Sequence, residues 1–165
     1  MLAPKYENKI PINHINFLKM FVSFVNARRY IITTSESSRV GVKKRRILIV
    51  DDDPDITKTF GLVLEDSGLY EVDTYNDPLT ALQIMRPNFY ELALLDVRMP
   101  NMNGFELSDK IEKIDNKVKV CFISAYDIED KELREKYPLL QIKCFLPKPI
   151  SISDLIKTLE IELLR

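Results

Sequence analysis

The sequence predicts a three-layer α/β domain, a parallel sheet with helices on both faces. From Arg45 onward short apolar runs alternate with helical periods five times over, the pattern of successive βα units. The apolar runs, residues 47–50 and 92–95 above all, are continuous rather than alternating, which suits strands buried on both faces. Several of them also end in carboxylates: Asp51, Asp52 and Asp53 after the first, Asp96 after the third. A charge at the mouth of an apolar strand costs free energy unless something pairs with it, so these positions invite a functional explanation.

Each element follows from local signals. Residues 47–50 form the first strand, and Pro54 opens a helix with Ile56, Phe60, Val63 and Leu64 inward, which Gly68 stops. Tyr70 to Tyr75 is an alternating strand. Asp77 caps a helix that begins at Pro78 and closes before Pro87. After the third strand, Gly104 precedes a helix with Leu107, Ile111 and Ile114 inward. Residues 118–124 are the fourth strand, and residues 128–137 a charged, poorly periodic helix ended by Pro138. Residues 142–146 are the fifth strand, and residues 151–164 the last helix, capped by Ser151 or Ser153.

Residues 1–46 carry ten Lys or Arg against Glu7 and Glu36, whereas the rest carries 14 basic against 23 acidic residues. The first segment and the remainder are therefore different objects, divided here as a basic extension and linker, residues 1–43, and a folded domain, residues 44–165. Residues 15–25 can form one short amphipathic helix, and residues 33–46 read as a polar linker. The apolar stretches of the extension are too short and too interrupted for a membrane span or a signal-peptide core. With 45% hydrophobic and 30% charged residues the chain is globular rather than disordered or membrane-embedded. Cys121 and Cys144 lie in separate apolar runs and read as small core hydrophobes in a reducing cytoplasm. A disulfide between them would need their strands to be neighbours.

Ordered 2-1-3-4-5, the strands would set the first and third side by side at a switch point and bring Asp51, Asp52 and Asp96 together. Three such carboxylates repel unless a cation holds them, and an all-oxygen ligand set selects a hard ion such as Mg²⁺. Ser124 and Lys148 fall at the ends of the fourth and fifth strands, so acid, hydroxyl and ammonium would share one rim.

The runs ILIVDDDPD, LLDVRMPNMNG, FISA and KPI resemble the successive motifs of the receiver domain of two-component response regulators, over about residues 45–165. The resemblance implies a five-stranded flavodoxin-like sheet of order 2-1-3-4-5, with Asp96 as phosphoacceptor in phosphorelay signalling. It implies Mg²⁺ bound by Asp52, Asp96 and the Arg98 backbone carbonyl, with Asp51 acting largely through water and Asp53 an exposed neighbour. Ser124 would be the switch hydroxyl, Lys148 the cation that pairs with the phosphoryl group, and Phe145 the switch aromatic; Lys148-Pro149 would be a cis peptide. Arg98 and Tyr126 occupy the positions that influence hydrolysis of the acyl phosphate. The partners implied are a sensor histidine kinase and a downstream protein that reads the fourth helix, fifth strand and fifth helix; a homodimer is also compatible.

Two other classes compete. A haloacid dehalogenase-like phosphatase also places an Asp-x-Asp pair after its first strand, which would make Asp51 the nucleophile, but Asp55 stands where that family has Thr or Val. A nucleic-acid-binding regulator could use the basic arm, where Arg28, Arg29, Arg39 and residues 43–46 supply charge without a reading motif. His14, the only histidine, lacks the surroundings of a phosphodonor.

Overall fold

The computed structural model describes residues 43–125 and 142–165. The amphipathic segment at residues 15–25, the linker up to residue 42, the helix expected at residues 128–137 and Tyr126 lie outside these. Strands β1 (Arg45–Val50), β2 (Tyr70–Tyr75), β3 (Leu92–Asp96), β4 (Lys119–Ser124) and β5 (Phe145–Pro147) form one sheet in the order β2-β1-β3-β4-β5. All four pairings are parallel. Helices α1 (Pro54–Asp66), α2 (Pro78–Ile84), α3 (Gly104–Ile114) and the final helix (Ile152–Leu164) complete the described part. This is the expected doubly wound, flavodoxin-like fold.

The two central strands carry the core. Ile47 to Val50 and Leu92 to Leu95 are 0–1% exposed, and complete burial of each Leu or Ile contributes about 2 kcal/mol. Strand periodicity divides them between two faces. Leu48, Val50, Ala93 and Leu95 join Ala81 of α2 and Phe105, Leu107 and Ile111 of α3 in one cluster. Ile47, Ile49, Leu92 and Leu94 point the other way, toward the face from which α1 and the final helix, which touch each other, bury Phe60, Leu64, Leu155 and Leu159.

Caps set the helix limits. The Asp53 carboxylate accepts the Asp55 N–H at 2.9 Å to start α1, and Gly68, at φ 74°, supplies the left-handed residue beyond its end. Asp77 accepts the Thr80 N–H at 2.8 Å at the start of α2. Asn103 and Glu106 form a reciprocal capping box at the start of α3. Of the two serines expected to cap the final helix it is Ser151 that accepts the Asp154 N–H, at 3.1 Å. At the other end of that helix Arg45 donates to the Leu163 carbonyl at 2.8 Å and Lys119 to the Glu162 carbonyl at 2.6 Å. Two cations from the starts of β1 and β4 thus meet the negative end of the helix dipole.

Two expectations are corrected. The fifth strand is Phe145–Pro147 rather than residues 142–146, because only Phe145, Leu146 and Pro147 find partners on β4. Apolar character marks a segment as buried but does not fix where its pairing begins. The cysteines, expected as free core residues, are joined as a Cys121–Cys144 disulfide. Phe122 lies opposite Phe145, so the residue before each faces its counterpart, with Cα atoms 4.6 Å apart, inside the range a disulfide spans.

Candidate functional site

The sheet order places the site. Val50 pairs with Leu95, so Asp51 and Asp96 leave neighbouring strands side by side. Asp96 in turn pairs with Ile123, which puts Ser124 beyond it, and Ser124 pairs with Pro147, which delivers Lys148. All four residues therefore stand on the carboxyl rim of the sheet, where open α/β sheets bind ligands.

Lys148 holds the two acids together. Its Nζ lies 2.7 Å from Asp51 Oδ2 and 2.5 Å from Asp96 Oδ1. The other oxygen of each acid accepts a backbone N–H: Asp51 Oδ1 from Asp53 at 3.0 Å, Asp96 Oδ2 from Arg98 at 2.6 Å. The backbone of Lys148 is fixed too, its N–H donating to the Ser124 carbonyl at 2.6 Å, and the Lys148-Pro149 peptide is cis. Asp51, Asp96 and Ser124 are 1%, 5% and 2% exposed, so the charges interact with little help from water.

Burial raises the Asp96 carboxyl above the ordinary carboxylate value, against the pull of Lys148 and with the help of the Asp51 charge. Burial alone would lower Lys148, but its bonds to Asp51 and Asp96 outweigh that and hold the ammonium above its usual value. The geometry therefore sets one ammonium between two carboxyl groups.

Not every predicted residue joins them. Asp52 is exposed, and no three acidic, His or Cys side chains form a metal-holding group among the described residues. Asp51 and Asp96 fit a hard cation in their donor chemistry, as two carboxylates directed at a single positive centre. Asp53 is exposed and caps α1. Phe145 is half-buried opposite Phe122, packed against the core cluster, and the Arg98 side chain is exposed.

Two contributors escaped the sequence reading. Asn76 Nδ2 donates to the Asp51 carbonyl at 2.8 Å and to Thr57 Oγ1 at 2.9 Å, tying the first acid to α1 and the end of β2. A polar residue just past the second strand was the available signal, the same rule that marked the other strand ends. Gly104 is the second: a Cβ there would collide with the Asp96 carbonyl oxygen, so only glycine lets α3 begin against the end of β3.

The fold and this rim, adjacent acidic strand ends sharing one lysine on a doubly wound sheet, agree with comparison with known proteins. The response regulator receiver domain profile matches residues 47–160. Chemotaxis protein CheY of Treponema pallidum is 35% identical over 108 residues, which cover 64% of this chain and 73% of that protein. The transcriptional regulatory protein CpxR homolog of Haemophilus influenzae is 39% identical over 111 residues, covering 67% of this chain and 47% of that protein. The chain thus spans about half of that relative's length. A solved CheY-like response regulator receiver domain from Methanospirillum hungatei superposes with a TM-score of 0.64 at 30% identity, covering 73% of this chain and 94% of that one. The chain belongs to the response regulator receiver family, the signalling phosphoacceptor domains of two-component systems. Neither the phosphatase nor the nucleic-acid reading is favoured by these matches, and no described helix is long and apolar enough to cross a membrane.

Proposed function

We propose that Asp96 is the phosphoacceptor, that a sensor histidine kinase is its donor, and that residues 44–165 act as the receiver while residues 1–43 form a separate basic extension. The observation that supports this most is the double contact of Lys148 with Asp51 and Asp96. It gathers a carboxylate, a second acid and a cation at one strand-end rim.

The Asp96 carboxylate attacks the phosphorus of a phosphohistidine, the P–N bond breaks, and an acyl phosphate forms while the imidazole recovers its proton. Lys148 shifts its positive charge onto the incoming phosphoryl oxygens, and the Arg98 N–H steadies the carboxylate. Asp51, Asp52, Asp96 and the Arg98 carbonyl would hold Mg²⁺, which when bound neutralises charge on the transferring group. Ser124 donates its hydroxyl to the phosphoryl group, and its inward movement frees space for Phe145 to rotate. The surface that includes β5 and the final helix then changes its affinity for a downstream protein or for a second copy of the chain. Arg98 and Tyr126 screen the acyl phosphate from water.

Incubation with acetyl phosphate and Mg²⁺, followed by intact mass and peptide mapping, tests this. One phosphoryl group on the Asp96 peptide, absent with EDTA and in Asp96→Asn, is the expected result. Label on Asp51 would replace this reading with the phosphatase.

A further inference from the structure

We propose that the Cys121–Cys144 disulfide is a redox site that governs how firmly Lys148 is held at Asp96, with a dithiol as its reducing co-reactant. The effect on phosphorylation rests on the receiver reading above; the effect on Lys148 does not.

The position of the bond carries the argument. It joins the start of the short ladder between β4 and β5, whose far end delivers Ser124 and Lys148. That ladder contains three residue pairs. Beyond the ladder, β5 is fastened to β4 by the Phe122 N–H to the Cys144 carbonyl at 3.0 Å and the Lys148 N–H to the Ser124 carbonyl at 2.6 Å. Among the described residues β5 has β4 as its one strand neighbour. A covalent link in so short an edge ladder supplies much of the register of β5, and register decides where the Lys148 backbone sits. Lys148 in turn places its ammonium between Asp51 and Asp96.

The chemistry is two-electron exchange. A dithiol loses a proton, and its thiolate attacks Cys144, at 5% exposure the more accessible of the pair, Cys121 being fully buried. The Cys121–Cys144 bond breaks, Cys121 leaves as thiolate and takes up a proton, and a mixed disulfide forms on Cys144. The second thiol of the reductant then displaces Cys144, which is protonated in its turn; the protein gains two electrons and two protons and the dithiol ends as a disulfide. The chain contains no third cysteine, so reoxidation can only restore the same pair within one molecule. In the oxidised form β5 is held and Lys148 is pre-positioned; in the reduced form β5 moves against β4 and the ammonium is less well placed.

The full chain is compared in air-oxidised and dithiothreitol-reduced states beside Cys121→Ala/Cys144→Ala in both. Thiols are counted by maleimide mass shift, amide exchange is followed at Leu146 and Lys148, and initial labelling of Asp96 by acetyl phosphate is timed. The oxidised protein is expected to show no reactive thiol and slow exchange. Reduction should expose two thiols, speed exchange at Lys148 severalfold, and slow labelling severalfold, with reversal on reoxidation; the double variant should match the reduced state and ignore dithiothreitol. Two free thiols in the air-oxidised folded chain, or equal exchange at Lys148 in both states, would overturn the proposal. If the double variant does not fold, the reduced and reoxidised wild-type chain decides alone. Faster exchange on reduction with no Asp96 label in either state would support redox control of Lys148 and count against the receiver assignment of Asp96.

Discussion

Gly104 stands so near Asp96 that a methyl group on its Cα would strike the Asp96 carbonyl oxygen, while its own N–H donates to the Val97 carbonyl at 3.1 Å. The obstacle is backbone, which cannot swing aside as a side chain could. Gly104→Ala should lower stability by about 2 kcal/mol, the usual cost of forcing volume into a packed position, and should reduce phosphoryl uptake by shifting Asp96. Urea unfolding and acetyl phosphate labelling check the two effects; a variant of wild-type stability would mean that α3 can move away freely.

Removal of the Lys148 ammonium leaves Asp51 and Asp96 buried face to face. Lys148→Ala is expected to lose about 3 kcal/mol at neutral pH in metal-free buffer. Without the cation, burial and the Asp51 charge keep the folded-state pKa of Asp96 above its unfolded value. Stability is then fully present below the unfolded value and falls as pH rises through the folded value. The deficit of the variant should therefore shrink on acidification toward about pH 4, which melting curves across that range would show.

The acid limb of wild-type stability should carry the opposite sign at two other carboxylates. Asp77 is held below its ordinary value of 3.8 by hydrogen bonds from the Thr80 hydroxyl and N–H, and Asp115 by the N–H groups of Asn88 and Lys117. A depressed folded pKa gives stability that is present above the unfolded value and lost as pH falls through the folded one. Asp77→Asn and Asp115→Asn should each be less stable than wild type at neutral pH, with the difference shrinking as pH falls below about 4 and vanishing once it passes the lowered folded value. A difference independent of pH would show that charge plays no part in these caps.

Arg98 donates its N–H to Asp96 and extends an exposed side chain beside it. Arg98→Asn keeps the backbone contact and removes the bulk. Once the protein is labelled, the acyl phosphate of this variant should hydrolyse severalfold faster, measured by loss of the mass increment over time. An unchanged lifetime would assign the exposed side chain no shielding role.

The rim of the sheet was legible because each strand announces itself locally: an apolar run breaks at Asp51, Asp96 or Ser124, and alternation with helices dictates parallel neighbours. The strand order came partly from the family resemblance, and side-chain pairings across long sequence separations were not legible. The disulfide depends on Phe122 lying opposite Phe145, a register that neither apolar run reveals alone, although the matching pairs Cys121-Phe122 and Cys144-Phe145 were a usable hint. Arg45 and Lys119 carry no sequence signal of a partner, yet both end on carbonyls of the final helix, a destination set only by how that helix packs. The Asn103–Glu106 capping box is a different case. Its Asn-x-x-Glu spacing is a local signal that the sequence carries in full beside Gly104.

Among the described residues β5 forms one margin of the sheet, and it contributes three residues, one of them Pro147, which offers a carbonyl but no N–H. Such a margin is a poor template for an added strand, since a visiting peptide would meet a gap in the row of donors. A protein that binds this flank must therefore grip side chains, Phe145 and the exposed face of the final helix among them, and will be told apart by its knobs and charges rather than by its backbone. The same gap discourages copies of the domain from stacking margin to margin when crowded.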